Sequence, residues 1–154
     1  HGVRWIRDVA SRSDEISVNP MNIQRGTIID RLHRHNEYRP PWLWSLVEMI
    51  KQAHPHIYPK GGVNGSPDQI CRLIVHPTAG GKIRGAHNCG SCDKFVVAAI
   101  ERYAVSGDLR EFEGLSCECQ AIWQAELALE SALPIPLGIS QPRRGNRIEN
   151  LRSL

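Results

Sequence analysis

Cys89-Gly90-Ser91-Cys92-Asp93-Lys94-Phe95-Val96-Val97-Ala98-Ala99-Ile100 sets two cysteines two residues apart and then runs into an apolar stretch of helical period. A gap of two residues lets both thiolates turn onto one ion, and the N–H groups of a helix start favour thiolate over thiol. Cys117-Glu118-Cys119 supplies a second close pair, whereas Cys71 stands alone. Five cysteines, an odd number in uneven spacing, do not make a secreted disulfide framework. The expected cofactor is therefore zinc, one ion or two, on Cys89, Cys92, Cys117 and Cys119. His87 is a nearby imidazole for the same site, and His76 is a second one. The plain alternative is four ordinary buried thiols.

Outward from that stretch, the pattern of apolar residues and breakers gives the order β, β, α, β, α, α. Val3–Val9 and Gly26–Asp30 read as short strands, and Ile70–Val75 as a buried one. Pro40-Pro41 introduces a helix over Trp42–Ala53, with Trp42, Leu43, Leu46, Val47, Met49 and Ile50 as its core stripe. His54-Pro55-His56 reads as its stop. The helix Cys92–Val105 carries Phe95, Val96, Ala99, Ile100 and Tyr103 on one face. Leu109–Phe112 reads as extended, and a last helix covers Gln120–Leu133 before Pro134 and Pro136. Gly80-Gly81-Lys82 is not followed by Ser or Thr, so it is no phosphate loop.

Composition narrows the class. The 154 residues are 41% hydrophobic and 23% charged with mean hydropathy −0.35, which suits a folded domain and not a disordered tail. No apolar run approaches the roughly 20 residues of a membrane-spanning helix, and no secretory signal opens the chain. A start on His1 reads as a piece of a longer protein. The net charge of +3 lies wholly beyond Gln141, where Arg143, Arg144, Arg147 and Arg152 face Glu149 alone. Arg143, Arg144 and Arg147 are accordingly the candidate nucleic-acid contacts, a solvated basic terminus being the bland alternative.

A longer series of motifs resembles one family. Gly2-Val-Arg-Trp5-Ile6-Arg-Asp-Val9 is similar to a Pro-Gly-x-Ser-Trp-Ile-Glu-Val box, and Asp30-Arg31-Leu32-His33 to Gly-Asp-x-x-His. Leu46–Ala53 with Tyr58-Pro59 is similar to the helix leading into Gly-Tyr-x-Pro. Leu73-Ile74 through Ile83-Arg84 is similar to Leu-Ile-x-x-Pro-x-Gly-x-x-Ile-Arg. Cys89-Gly90-Ser91-Cys92 occupies the place of Cys-x-Asp-Cys-His, and Val105, Asp108, Arg110 and Phe112 echo Val-Arg-Asp-x-x-Arg-Phe. Gly114-Leu-Ser-Cys117-Glu-Cys119-Gln-Ala-Ile-Trp123 is similar to the ending Gly-x-Cys-Ser-Cys-x-Asp-Tyr-Trp. In this order, over residues 2–123, the chain resembles the DYW domain of plant pentatricopeptide-repeat RNA-editing proteins.

That resemblance implies an α/β (α+β, three-layer) cytidine-deaminase-like fold, with a central mixed sheet and flanking helices, stabilised by zinc. It divides the chain into a deaminase-like domain, 1–133, and a basic tail, 134–154; within the domain, 1–60 is a PG-box and gating-like segment and 61–133 the zinc-binding core. It implies cytidine-to-uridine hydrolysis on single-stranded RNA, in an active or degenerate form, inside a chloroplast or mitochondrion. An upstream repeat array or another editing factor would be its partner. Cys89 and Cys92 would sit at a catalytic zinc, and Cys117 and Cys119 at a second one. The family's His-x-Glu has no counterpart at residues 63–67. The chain's His-x-Glu is His35-Asn36-Glu37, out of register in the segment before the Trp42 helix. Two alternatives follow: an inactive zinc-stabilised module that binds RNA or protein, and a papain-like thiol hydrolase using Cys92. Without the resemblance, the expected location is intracellular.

Overall fold

The structure, a computed structural model, describes residues 2–58, 71–77 and 85–132. Helix α1 spans Gly2–Ala10, strand β1 Glu15–Val18, α2 Ile28–Arg34, α3 Leu43–Ile57, β2 Arg72–Val75, α4 Asp93–Ser106 and α5 Cys119–Ala132. A 3-10 turn covers Leu109–Phe112. β1 and β2 pair in parallel, with Glu15 opposite Arg72 and Val18 opposite Val75. The class is mixed α and β as expected. Among the described residues, however, the sheet is this one pair and not a central mixed sheet. The chain up to Trp123 forms one compact unit and Gln124 opens a second. The expected boundary after residue 133, the tail arginines Arg143, Arg144 and Arg147, and residues 63–67 lie outside the described residues.

Two expected strands are helices. Val3–Val9 looked like alternation, but Ile6 and Ala10 are the buried pair, with Val3 and Val9 half-buried beside them. That is helical spacing, visible only once Ala10 is counted. Gly26–Asp30 is instead the entry to α2. Thr27 Oγ1 accepts from Asp30 N at 3.2 Å, and Asp30 Oδ2 accepts from Gly26 N at 2.9 Å. This reciprocal cap satisfies two N–H groups at the helix start. The first strand is Glu15-Ile16-Ser17-Val18, between those two segments, and its pattern is weak because only alternate residues are half-buried.

α3 runs past its expected stop, through Pro55 to Ile57. Pro55 lacks the N–H for one helical bond, but Tyr58 N still donates to His54 O at 2.8 Å and Ile57 is fully buried, which holds the last turn. Leu43, Leu46, Val47 and Ile50 form its core stripe as expected, joined by Trp44, while Trp42 and Met49 are only half-buried. On α4, Val96, Ala99, Ile100 and Tyr103 are buried, but Phe95 is exposed, with Lys94 Nζ 4.8 Å from its ring centre. Leu109–Phe112 is a 3-10 turn rather than extended chain, because the Asp108 carboxylate caps it at Arg110 N (2.9 Å). One buried cluster joins α1, α3, β2, α4, Phe112, Cys119 and Trp123.

Candidate metal centre

The loop before α4 is shaped by its own sequence. Gly90 takes a left-handed conformation (φ 91°), which a side chain would resist. Asp93 Oδ1 then accepts from both Asn88 N (3.1 Å) and Gly90 N (3.0 Å). This folds residues 88–92 into a tight arc, with Cys92 at the helix cap and Cys89 three residues back on the same side. The second pair is built alike. Gly114 turns in the left-handed region (φ 75°), and Gln120 N donates to Cys117 O as the chain enters α5.

The two pairs meet. Cys89 Sγ lies 3.8 Å from Cys92 Sγ and 3.7 Å from Cys117 Sγ, and Cys92 Sγ lies 3.7 Å from Cys119 Sγ. All four sulfurs fall within 4.8 Å of one another. A tetrahedron with metal–sulfur bonds of about 2.3 Å has edges of about 3.8 Å, so the spacing fits one mononuclear ion. In a multinuclear iron–sulfur cluster the four thiolates are divided among several irons, and those on different irons stand farther apart. The resemblance implied two separate centres, one for each pair. The structure makes one of them, because Cys119 at the start of α5 lies beside Cys92 at the start of α4.

The centre has an inner and an outer side. Cys92 and Cys119 are buried, Cys117 is half-buried and Cys89 is exposed. Burial pushes the Cys92 thiol up to about 12 and raises that of Cys119 as well. The backbone N–H groups of Cys92 and Ser91 hold Cys89 down at about 6. Two hydrogen bonds reach the inner sulfurs: Asn88 Nδ2 to Cys92 Sγ at 3.3 Å and Trp44 Nε1 to Cys119 Sγ at 3.2 Å. Asn88 Oδ1 in turn accepts from Trp44 N at 3.2 Å. Neither Asn88 nor Trp44 was singled out as a site residue from the sequence. The adjacency of Asn88 to Cys89 was visible, but the contact from α3 was not.

The other candidates stand elsewhere. His87 is not in the cluster; its Nδ1 lies 3.1 Å from Gly85 O, and four thiols complete a tetrahedral set without it. His76 is exposed, with its N–H on Val18 O of the strand pair. His35 and Glu37 are exposed at the end of α2, where His35 closes the helix and Asn36 turns in the left-handed region (φ 59°). Cys92 is unsuited to the thiol-hydrolase role: it is 7% exposed, its proton is held by burial, and its sulfur faces three others.

Comparison with known proteins settles the resemblance against the plant editing domains. The chain is 32% identical over 131 residues to the archaeosine synthase subunit beta of Methanosarcina acetivorans, covering 83% of this chain and 34% of that protein. It is 35% identical over 113 residues to the protein of the same name from Thermococcus kodakarensis, covering 73% and 32%. An uncharacterized protein of Methanocaldococcus jannaschii is 32% identical over 126 residues, covering 80% and 31%. The relatives are archaeal. The chain spans about a third of the length of the curated relatives it matches. No family model matches, and no solved structure matches. The DYW reading does not hold, and with it fall its repeat array and its organellar location: the individual motifs behind it are short and of common residues, whereas the archaeal similarity extends over 73–83% of the chain. Among the described residues, no helix is long and apolar enough to cross a membrane.

Proposed function

We propose that this chain is a zinc-stabilised, RNA-handling segment of a protein of the archaeosine synthase subunit beta type. Archaeosine is a modified nucleoside of transfer RNA, so the substrate class is tRNA, and a subunit named beta implies a second kind of subunit as partner. The observation that carries the metal part is the single tetrahedral set of four cysteine sulfurs. A closed set of four thiolates leaves no position for an activated water, which marks a structural centre in the general chemistry of zinc sites. Cys89, Cys92, Cys117 and Cys119 would hold the ion, and the ion would tie the starts of α4 and α5 together. The similarity to the archaeal relatives supports the RNA part. The chemical step of such a protein is left to the remainder of its length.

Native mass spectrometry of the reduced chain, followed by gel shift with a tRNA transcript, tests both parts. One zinc per chain and retarded tRNA support the proposal. Two zinc ions, or none in a folded sample, overturn the single structural centre. Failure to retard tRNA at low salt overturns the RNA reading.

A further inference from the structure

Helix α2 is unlike the other helices of the unit. None of its residues is buried, and Ile28 at its start is 78% exposed. A seven-residue helix is marginal in water unless caps or packing hold it. Here the holding is local: the Thr27–Asp30 cap at its start, and His35 N on Arg31 O and Leu32 O at its end. The element is thus built and then left with an outward face. That face is basic. Arg25, Arg31, Arg34 and Arg39 are all exposed within fifteen residues that hold two carboxylates, Asp30 and Glu37. Asp30 is engaged with Arg34 at 3.2 Å and with the helix cap, whereas Arg31 makes no ion pair among the described residues.

The wider charge distribution runs the same way. Residues 2–42 carry seven arginines against five carboxylates, while residues 85–123 carry three cations against six carboxylates. Balanced overall, this part of the chain is polarised, with its arginines collected toward α1 and α2. At the end of the basic stretch, the Arg39 guanidinium lies over the Trp42 ring, 3.3 Å from its centre, a flat cationic stack of the kind on which a nucleobase also packs.

Resting on the RNA reading above, we infer that the face of α2 with its flanks, residues 25–39, is the surface that takes the RNA backbone. Arg25, Arg31 and Arg34 neutralise successive phosphates there. The occupant is a polyanion because the exposed groups are cations on a helix that offers little apolar area besides Ile28. The surface lies away from the metal centre in sequence and shares no residue with it. Zinc therefore builds the scaffold, and α2 makes the contact.

The test is a fluorescence titration of labelled tRNA transcript with the full chain, at several salt concentrations. Arg25→Ala/Arg31→Ala/Arg34→Ala is compared with Lys51→Ala/Arg102→Ala/Arg110→Ala, which removes as much charge elsewhere. Because Arg25, Arg31 and Arg34 are all exposed, the first variant should keep the wild-type circular dichroism spectrum and zinc content. The expected result is a loss of about tenfold or more for the α2 variant and a salt slope shallower by about two to three, from three lost phosphate contacts. The reference variant should change affinity by less than about threefold. Equal losses in the two variants, or wild-type binding by the α2 variant, overturn the inference while leaving the RNA reading standing; the face would then belong to a protein contact. Absence of binding by the wild-type chain fails the RNA reading itself, and this inference with it.

Discussion

The indole Nε1 of Trp44, on the first turn of α3, donates to Sγ of Cys119, on the first turn of α5, at 3.2 Å. This bond ties the central core helix to the metal centre. The neighbouring contact, Trp123 Nε1 to Ser45 Oγ at 2.9 Å, fixes the same two helix ends a second time. A thiolate that receives an N–H bond carries less unbalanced charge in a buried site, so the core helix and the centre stabilise each other.

Trp44→Phe keeps most of the buried ring and removes that donor. Outer partners of metal ligands are typically worth 10- to 100-fold in affinity, and a loss of about tenfold is expected here. Competition against a chelator of known zinc affinity measures it. An unchanged affinity would mean that the Nε1–Sγ contact does not act on the bound state.

Asn88→Ala should be more damaging to stability than to metal binding. It removes the donor to Cys92 and also strands the buried Trp44 N–H, which Asn88 Oδ1 now satisfies. An unsatisfied buried donor costs about 1–3 kcal/mol. Urea unfolding of the zinc-loaded protein should show a midpoint lowered by that free energy divided by the slope, with the slope itself unchanged.

Metal binding should weaken steeply in acid. Cys92 and Cys119, raised by burial, must each release a proton on binding at neutral pH, whereas Cys89, held near 6, is already mostly ionised. At least two protons therefore leave per ion, and affinity should fall at least about a hundredfold per pH unit below 7, more steeply once Cys89 also protonates. Proton release on zinc addition, followed with a weakly buffered indicator, checks the count. Fewer than two protons would contradict the burial of the inner pair.

His54 should make the fold sensitive to acid independently of the metal. Burial lowers its pKa, against an opposing pull from Asp108, and its Nδ1 lies 3.1 Å from Tyr103 Oη. With the folded value below the unfolded 6.5, the unfolded chain takes up the proton first. The contribution is complete above about pH 6.5 and is lost as pH falls toward the folded value. His54→Gln should flatten the fall in urea midpoint between pH 7.5 and 5 relative to wild type. The metal-linked part is common to both proteins and cancels in the comparison.

Gly107→Ala tests the end of α4. Gly107 adopts φ 66° to cap the helix, donating to Tyr103 O at 2.7 Å, and an added Cβ would lie 2.8 Å from Tyr58 Oη. The left-handed backbone alone costs about 1–2 kcal/mol for alanine, and the clash adds to it. A Tyr58→Phe background removes the 2.8 Å contact but keeps Cζ at 3.0 Å, so the penalty should shrink only in part. Equal penalties on both backgrounds would show that Tyr58 moves freely.

The cysteines of the site were legible in the sequence because two of the needed contacts are local. A Cys-Gly-Ser-Cys turn closed by Asp93, and a Cys-x-Cys entry to a helix, bring each pair of sulfurs together within a few residues. The helices α3 and α4 were legible for a similar reason, since their apolar positions recur every three or four residues, and α5 because Pro134 and Pro136 mark a stop beyond it. The first thirty residues were misread where short runs satisfy both periods. Val3–Val9 alternates well enough for a strand until Ala10 joins Ile6 in the core, and the Thr27–Asp30 cap, which decides for α2, lies in side chains that a strand pattern ignores.

The sequence by itself therefore determined two thiol pairs, each preorganised at the start of a helix, and most of the core positions of α3 and α4. Only the tertiary structure decided that the pairs make one centre. Cys92 and Cys119 are 27 residues apart, and their 3.7 Å approach depends on how α4 and α5 pack beside the start of α3. The same packing selected Trp44 and Asn88 as partners of the buried sulfurs. Spacing along a chain fixes which neighbours can share an ion, but a contact between distant segments is set by the shape of the core between them.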